Sequence, residues 1–275
     1  MLFRSIKMET GNQFFGGCDV GSTTGKAVIL HNNEIVGTAI IPSEIDPGET
    51  ATKVLELAGR QVSGLNGLSD LTRLIGTGYG RNEVPFAHDN ISEITCHASG
   101  VYFCNPDVRT VLDIGGQDMK AIALNDQGRV REFVMNDKCA AGTGRFLEMM
   151  SRIFKMDLDR FSELSMQARS VIPITSQCSV FAETEVISLL SKKKPAADIA
   201  AGIQASIAKR SFTLLKRVGI QPKVTVTGGC SKSRGLTSHL ARMLKMDLEP
   251  LSVDPQLMGA LGAAAEARKQ VSGNE

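Results

Sequence analysis

The chain has 275 residues and a formal net charge of +2, with 42% apolar and 22% charged residues. That length buries one large core or two modest ones. The charge balance is too even for a nucleic-acid partner, and no run reaches the ~18 apolar residues of a membrane span.

In chain order, residues 1–13 carry Arg4, Lys7 and Glu9 and no apolar core segment, so they read as a frayed tail and not as a secretory signal. The expected location is the cytoplasm, where thiols stay reduced. The six cysteines then point to packing, metal or cluster ligation, not disulfides. Three short strands are predicted at 16–20, 25–31 and 34–41, the last two joined by Asn32-Asn33. A helix follows over 49–63, with Val54, Leu55, Ala58 and Val62 at helical spacing. A strand at 71–77 runs into Gly76-Thr77-Gly78-Tyr79-Gly80-Arg81, and a helix covers 92–103. The pattern then restarts with strands at 109–114, 119–124 and 129–135. Helices are predicted at 143–154, 183–190 and 195–218, then a strand at 224–227 and helices at 235–244 and 255–269. Lys192-Lys193-Lys194 reads as a solvated helix end. Strands alternating with helices make the fold class α/β. The restart implies two similar lobes: 14–104, with the last helix (255–270) packing back on it, and 105–254.

One phrase is written twice. Cys18-Asp19-Val20-Gly21-Ser22-Thr23-Thr24-Gly25-Lys26-Ala27 and Leu112-Asp113-Ile114-Gly115-Gly116-Gln117-Asp118-Met119-Lys120-Ala121 match in Asp, Gly, Lys and Ala at a single offset. Each is an apolar strand, a tight polar turn and a second apolar strand. Small residues let phosphate oxygens approach backbone N–H groups that a Cβ would screen. Gly21, Gly115 and Gly116 supply them, and Ser22, Thr23 and Thr24 add hydroxyls. Asp19, Asp113 and Asp118 would repel phosphate unless a cation intervenes, which implies Mg²⁺ held through water. Gln117 is placed to orient an attacking water, and with Asp113 it forms the catalytic pair. Thr227-Gly228-Gly229, between a strand and a helix, offers a flat backbone surface to an adenosine. Neither a P-loop nor a dinucleotide fingerprint is present. Lys26 and Lys120 read more simply as exposed strand lysines than as phosphate ligands.

Cys139 and Cys178 stand in polar, small-residue loops directly before helices. A helix N-terminus favours thiolates and anionic centres. Zinc and iron–sulfur sites both want four ligands, and these loops supply two, so a two-fold homodimer would complete either. Cys18 reads as strand packing. Cys96 and Cys104 read as one buried helix face, and Cys230 has no assigned role.

Taken together, Asp19-Val20-Gly21-Ser22-Thr23, Thr77-Gly78-Tyr79-Gly80-Arg81, Asp113-Ile114-Gly115-Gly116-Gln117-Asp118, Asn136-Asp137-Lys138-Cys139-Ala140-Ala141-Gly142-Thr143-Gly144, Cys178-Ser179-Val180-Phe181-Ala182-Glu183 and Thr227-Gly228-Gly229 resemble the activator ATPases of 2-hydroxyacyl-CoA dehydratases. That wider group includes the ATPase subunits of benzoyl-CoA reductase. The resemblance implies a duplicated two-lobed actin/Hsp70/hexokinase-type fold with ATP or ADP between the lobes. It implies a homodimer bridged by one [4Fe–4S] cluster through Cys139 and Cys178 of each subunit. It also implies Asp113 and Asp118 as the carboxylates for Mg²⁺, and ATP-driven transfer of an electron from ferredoxin or flavodoxin to a dehydratase. The alternatives are a benzoyl-CoA reductase-type ATPase subunit, a small-molecule kinase of the same fold with Glu93 or Asp89 as base, and a non-enzymatic nucleotide sensor.

Overall fold

Residues 13–273 are described by the computed structural model. The predicted tail, apart from Gln13, lies outside them. Strand β1 (Phe14–Val20) is buried at every residue. It pairs antiparallel with β2 (Thr24–His31), which pairs antiparallel with β3 (Glu34–Pro42). Helix α1 (Pro47–Gly59) starts where Asp46 accepts from the Gly48 N–H at 2.7 Å and Pro47 presets the first turn. It buries Ala51, Val54, Leu55 and Ala58 against the outer face of this sheet. Strand β4 (Arg73–Thr77) returns parallel to β1, and the short β5 (Asp89–Asn90) closes the sheet in the order β3-β2-β1-β4-β5. Helix α2 (Glu93–Cys104) follows, capped by Ser92.

The second half repeats this plan. Strands β6 (Thr110–Ile114), β7 (Met119–Leu124) and β8 (Val130–Asn136) form an antiparallel meander. Four helices intervene: α3 (Gly144–Ile153), α4 (Leu158–Met166), α5 (Ser179–Ser191) and α6 (Ala196–Val218). Strand β9 (Val224–Thr227) then lies parallel to β6, giving the order β8-β7-β6-β9. Helices α7 (Arg234–Leu244) and α8 (Met258–Ser272) complete the chain.

The equivalence extends to register. Asp19 sits opposite Lys26 across β1–β2, and Asp113 sits opposite Lys120 across β6–β7. Asp19 pairs with Thr77 of β4, as Asp113 pairs with Thr227 of β9. The glycine after each threonine, Gly78 and Gly228, has positive φ (86° and 80°). Glycine adopts that conformation without strain.

Helices α2 and α8 lie between the two sheets. Their apolar residues Ala98, Val101, Leu261 and Ala264 share one core with Phe15, Val28 and Leu30 of the first sheet and Val111, Ile122 and Leu124 of the second. Gly17 lets α8 lie directly on β1, where a Cβ would strike the Ala260 carbonyl and the Ala264 N–H. The outer face of the second sheet turns Leu112, Ile114, Met119 and Ala121 toward α3 to α7. Period-two alternation along β6 and β7 thus feeds two cores.

Helix α4 was not foreseen. Nine polar-rich residues carry only Leu158, Phe161 and Leu164 as an apolar stripe, and Asp157, accepting from the Arg160 N–H at 2.8 Å, was the readable signal. Helix α1 begins two residues ahead of the predicted start because Asp46-Pro47 forms the cap.

Candidate functional site

The two repeated turns face each other across a cavity of about 630 Å³. Asp19, Gly21, Ser22, Thr23, Thr24, Asp113, Gly115, Gly116, Gln117, Asp118, Gly228 and Gly229 all line it. A volume of this size suits a nucleotide. Both turns close alike: Gly21 N–H donates to Thr24 O at 3.1 Å, and Gly115 N–H to Asp118 O at 3.0 Å. A Cβ on Gly116 would collide with the Thr23 hydroxyl of the opposite turn. That hydroxyl is buried and makes no hydrogen bond. An unpaired donor inside a glycine cradle fits a phosphate oxygen, which would satisfy it.

The turns are anchored differently. Ser43 holds the first, with its N–H on Thr23 O (2.9 Å) and its hydroxyl on Gly21 O (2.8 Å). Gly144 and Arg145 hold the second, their N–H groups donating to Gly115 O and Gly116 O, both at 2.9 Å. These two donors open α3, a few residues beyond Cys139.

Below the second turn lies an ion network. Lys120, 3% exposed, places Nζ 2.6 Å from Asp118, 3.4 Å from Asp113 and 3.6 Å from Glu93. The expectation of an exposed strand lysine is wrong for Lys120, because the register points it under the turn instead of into solvent. Burial opposes its charge, but Asp113, Glu93 and Asp118 outweigh that and hold the ammonium protonated well above the usual lysine range. Lys26 is also largely buried and pairs with Asp19 at 3.3 Å.

Burial pushes the Asp113 carboxyl up, yet His97, Lys120 and a 2.8 Å hydrogen bond from Thr227 bring it down to about 2. Thr227 spends its only proton on Asp113. The 3.2 Å contact between His97 Nδ1 and the Thr227 oxygen therefore requires a proton on Nδ1. Glu93 is raised by burial, with Lys120 pulling the other way. Thr227 itself lies beneath the cavity wall, fully buried.

On the far side of the cavity, Gln204 of α6 is fully buried, and its Nε2 has no partner. Cys230 lines the same side, and burial holds its thiol protonated, with a pKa pushed up to about 12. The sequence signal for Lys120 was present, a lysine seven residues after the aspartate in both copies. Glu93 was named only as a base for the kinase alternative, and His97 and Gln204 carried no signal, since their approach depends on how α2 and α6 pack.

Cys139 and Cys178 lie outside this cavity. Cys178 is exposed and occupies the N-cap position of α5. Cys139 is half-buried and precedes a short 3-10 turn (Ala140–Gly142) that leads into α3. Neither sulfur makes a capping hydrogen bond, and both are free thiols. Among the described residues no group of three or more His, Cys, Asp or Glu side chains converges on a metal site. Only Cys178 stands directly at a helix N-terminus, Cys139 being separated from α3 by the 3-10 turn, and two thiols are the donor type for one half of a shared thiolate-ligated centre. Cys18 is fully buried in β1, as expected. Cys96 is buried, but Cys104, eight residues on and rotated around α2, is only half-buried beside Met258.

The sequence profile of the BadF/BadG/BcrA/BcrD ATPase family matches residues 17–267. A 2-hydroxyisocaproyl-CoA dehydratase activator of Clostridioides difficile is 44% identical over 253 residues, covering 91% of this chain and 93% of that protein. An activator of lactoyl-CoA dehydratase from Anaerotignum propionicum is 45% identical, covering 91% and 96%. The solved activator of the 2-hydroxyisocaproyl-CoA dehydratase, with bound ADPNP, superposes with a TM-score of 0.89 at 42% identity over 95% of this chain and 97% of that one. A ROK hexokinase from Thermus thermophilus, 13% identical with a TM-score of 0.52, shares the fold alone. The fold is of the actin/hexokinase type.

Proposed function

Because this chain belongs to the BadF/BadG/BcrA/BcrD ATPase family, we propose that it is an ATP-hydrolysing activator that delivers a low-potential electron to a 2-hydroxyacyl-CoA dehydratase. The observation that carries this reading is the direct hydrogen bonding of the Gly115-Gly116 turn to Gly144 and Arg145, which joins the phosphate cradle to the Cys139 loop. Relatives bearing dehydratase-activator names, alike over nine-tenths of the chain, support it.

In this reading the lobes are 14–104 with 255–270, and 105–254, and ATP lies between them. Gly21, Ser22, Thr23 and Thr24 hold its phosphates from one side, Gly115 and Gly116 from the other, and Thr227-Gly228-Gly229 backs the adenosine. Asp19 stays paired with Lys26, which keeps its charge from opposing the phosphates. Asp113 and Asp118 are the carboxylates for Mg²⁺. Both carboxylates line the cavity as hard oxygen donors of the kind Mg²⁺ takes, and because Lys120 already pairs with them they would hold the ion through water. Gln117, exposed at the cavity rim, orients the attacking water.

Cys139 and Cys178 of two subunits together hold one [4Fe–4S] cluster. When bound, the cluster supplies one transferable electron at low potential. The apolar side chains Val180, Phe181 and Ile187 stand exposed on α5 beside Cys178, which supports a homodimer across this face. Ferredoxin or flavodoxin is the donor, and the cytoplasm is the compartment. Making an electron ~300 mV more reducing costs about 7 kcal/mol. That exceeds the ~1–3 kcal/mol of ordinary binding coupling, which explains the use of hydrolysis.

Iron and sulfide analysis of anoxically purified protein tests the reading. The expected result is about four irons per dimer in wild type and none in Cys139→Ala or Cys178→Ala. A colourless, iron-free wild type that still hydrolyses ATP would falsify the electron-transfer role.

A further inference from the structure

We propose that Arg210 of α6 is a positioning residue that fastens the Cys139 and Cys178 loops to each other and keeps a positive charge beside their sulfurs. It thereby sets how readily the centre they share is reduced. This rests on the cluster reading above.

The contacts are specific. Arg210 Nη2 donates to the carbonyls of Ser176 and Gln177, each at 3.2 Å, the two residues immediately before Cys178. Nη1 donates to Ser206 O, one turn back in α6, which fixes the side chain against its own helix. The Arg210 Cδ lies 3.5 Å from where a Gly142 Cβ would stand, so the stem runs along the turn that follows Cys139. One side chain therefore touches both cysteine loops. They lie 39 residues apart in sequence (139 to 178) and share no hydrogen bond with each other among the described residues.

Charge gives a second, independent observation. Among the described residues Arg210 makes no salt bridge. A half-buried guanidinium without a carboxylate is costly, and such groups are normally paired. A thiolate-rich, anionic centre would supply the missing counter-charge. Arginine suits the place better than lysine. Its planar fork satisfies two adjacent carbonyls and its own helix at once, whereas an ammonium is a point charge on a flexible stem.

The geometry also completes a physical route. The phosphate turn is bonded to Gly144 and Arg145, these lead back through 140–142 to Cys139, and Arg210 spans from that turn to Cys178. A shift of the Gly115-Gly116 turn on nucleotide exchange would carry both sulfurs together instead of one. Coupling between distant sites needs an element that both sites bias, and the fastened pair of loops is proposed as that element.

The test uses anoxic wild type, Arg210→Gln and Arg210→Lys dimers, measuring iron content, the midpoint potential with ADP by dithionite titration with mediators, and hydrogen exchange of segments 137–142 and 174–179 in metal-free protein. Arg210→Gln is expected to lower the equilibrium constant for one-electron reduction at least tenfold, a shift of about 59 mV to more negative potential. Arg210→Lys is expected to keep the wild-type potential while exchange in 174–179 rises severalfold. An Arg210→Gln protein with full iron and a potential matching wild type overturns the charge role. Unchanged exchange in Arg210→Lys overturns the fastening role, and that arm needs no cluster and decides even if Arg210→Gln fails to fold. A wild type without iron would overturn the cluster reading itself, leaving the exchange result to judge the fastening alone.

Discussion

The two strand–turn–strand copies share strand order and register, yet they are electrostatically unlike. In the first, Lys26 meets a single carboxylate, Asp19, in a largely buried pair. In the second, Lys120 is sunk among Asp113, Asp118 and Glu93, with His97 and Thr227 completing the shell. Their anchors differ as well: Ser43 at the end of β3 holds the first turn, and the helix after Cys139 holds the second. Duplication supplied two phosphate-sized cradles. Divergence made the first a fixed wall and gave the second the charges and the mechanical connection.

Removing each lysine is the strongest way to break this contrast. Lys120→Met leaves three carboxylates, the buried Asp113 among them, without their ammonium and is expected to cost about 5 kcal/mol in urea unfolding. Lys26→Met leaves a single carboxylate, Asp19, buried without its cation and is expected to cost about 3 kcal/mol. Equal losses would erase the distinction.

The turns themselves come next. Gly116→Ala drives a methyl group into the Thr23 hydroxyl and is expected to slow ATP hydrolysis about 100-fold. Gly21→Ala meets the flexible end of Lys26, 2.9 Å from the new Cβ, and the Thr24 carbonyl at 3.1 Å, and is expected to slow it less than tenfold. Steady-state hydrolysis rates of the two variants decide the order.

The pH dependence sharpens the electrostatic half. Asp113 has a folded pKa of about 2 against an ordinary 3.8, so its contribution is fully present above pH 4 and disappears as pH falls toward 2. Asp113→Asn should therefore be less stable than wild type by about 2 kcal/mol from pH 5 to 8, with the gap closing below pH 4. A gap that widens on acidification would reverse the sign of the argument.

The smallest expected effect concerns the paired threonines. Thr227→Val leaves Asp113 and His97 each short of a partner and should cost about 2 kcal/mol. Thr77→Val frees the Ile91 carbonyl and should cost about 1 kcal/mol. Thermal unfolding of both variants measures the difference.

Much of the fold was legible because its signals are local. The Asp-Gly-Lys phrase at one offset announced β1–β2 and β6–β7, and apolar spacing announced α2 and α6. Helix α5 was expected over 183–190 but begins at Ser179, four residues earlier, with Cys178 at its N-cap. Helix α4 escaped because nine mostly polar residues give periodicity little to work on. The turn residues of the candidate site could be named from composition alone, since phosphate demands small residues and hydroxyls. Lys120 could not, although its spacing was in view, because a strand residue faces core or solvent according to what lies on each side of the sheet. Cys104 failed for a related reason: the Cys96–Cys104 spacing does not say how wide the buried face of α2 is. Arg210 looked like any polar residue on a long amphipathic helix.

What the order of residues decided by itself is the pair of hairpins, their turns and the two cysteines standing ahead of helices, because each depends on backbone conformation within a few neighbours. Tertiary packing alone decided that the turns meet Thr23 to Gly116, that α2 brings His97 and Glu93 under the second turn, and that α6 lays Arg210 along both sulfur-bearing loops. Those contacts join residues far apart in the chain, and only burial of the shared core between the two sheets fixes their distances.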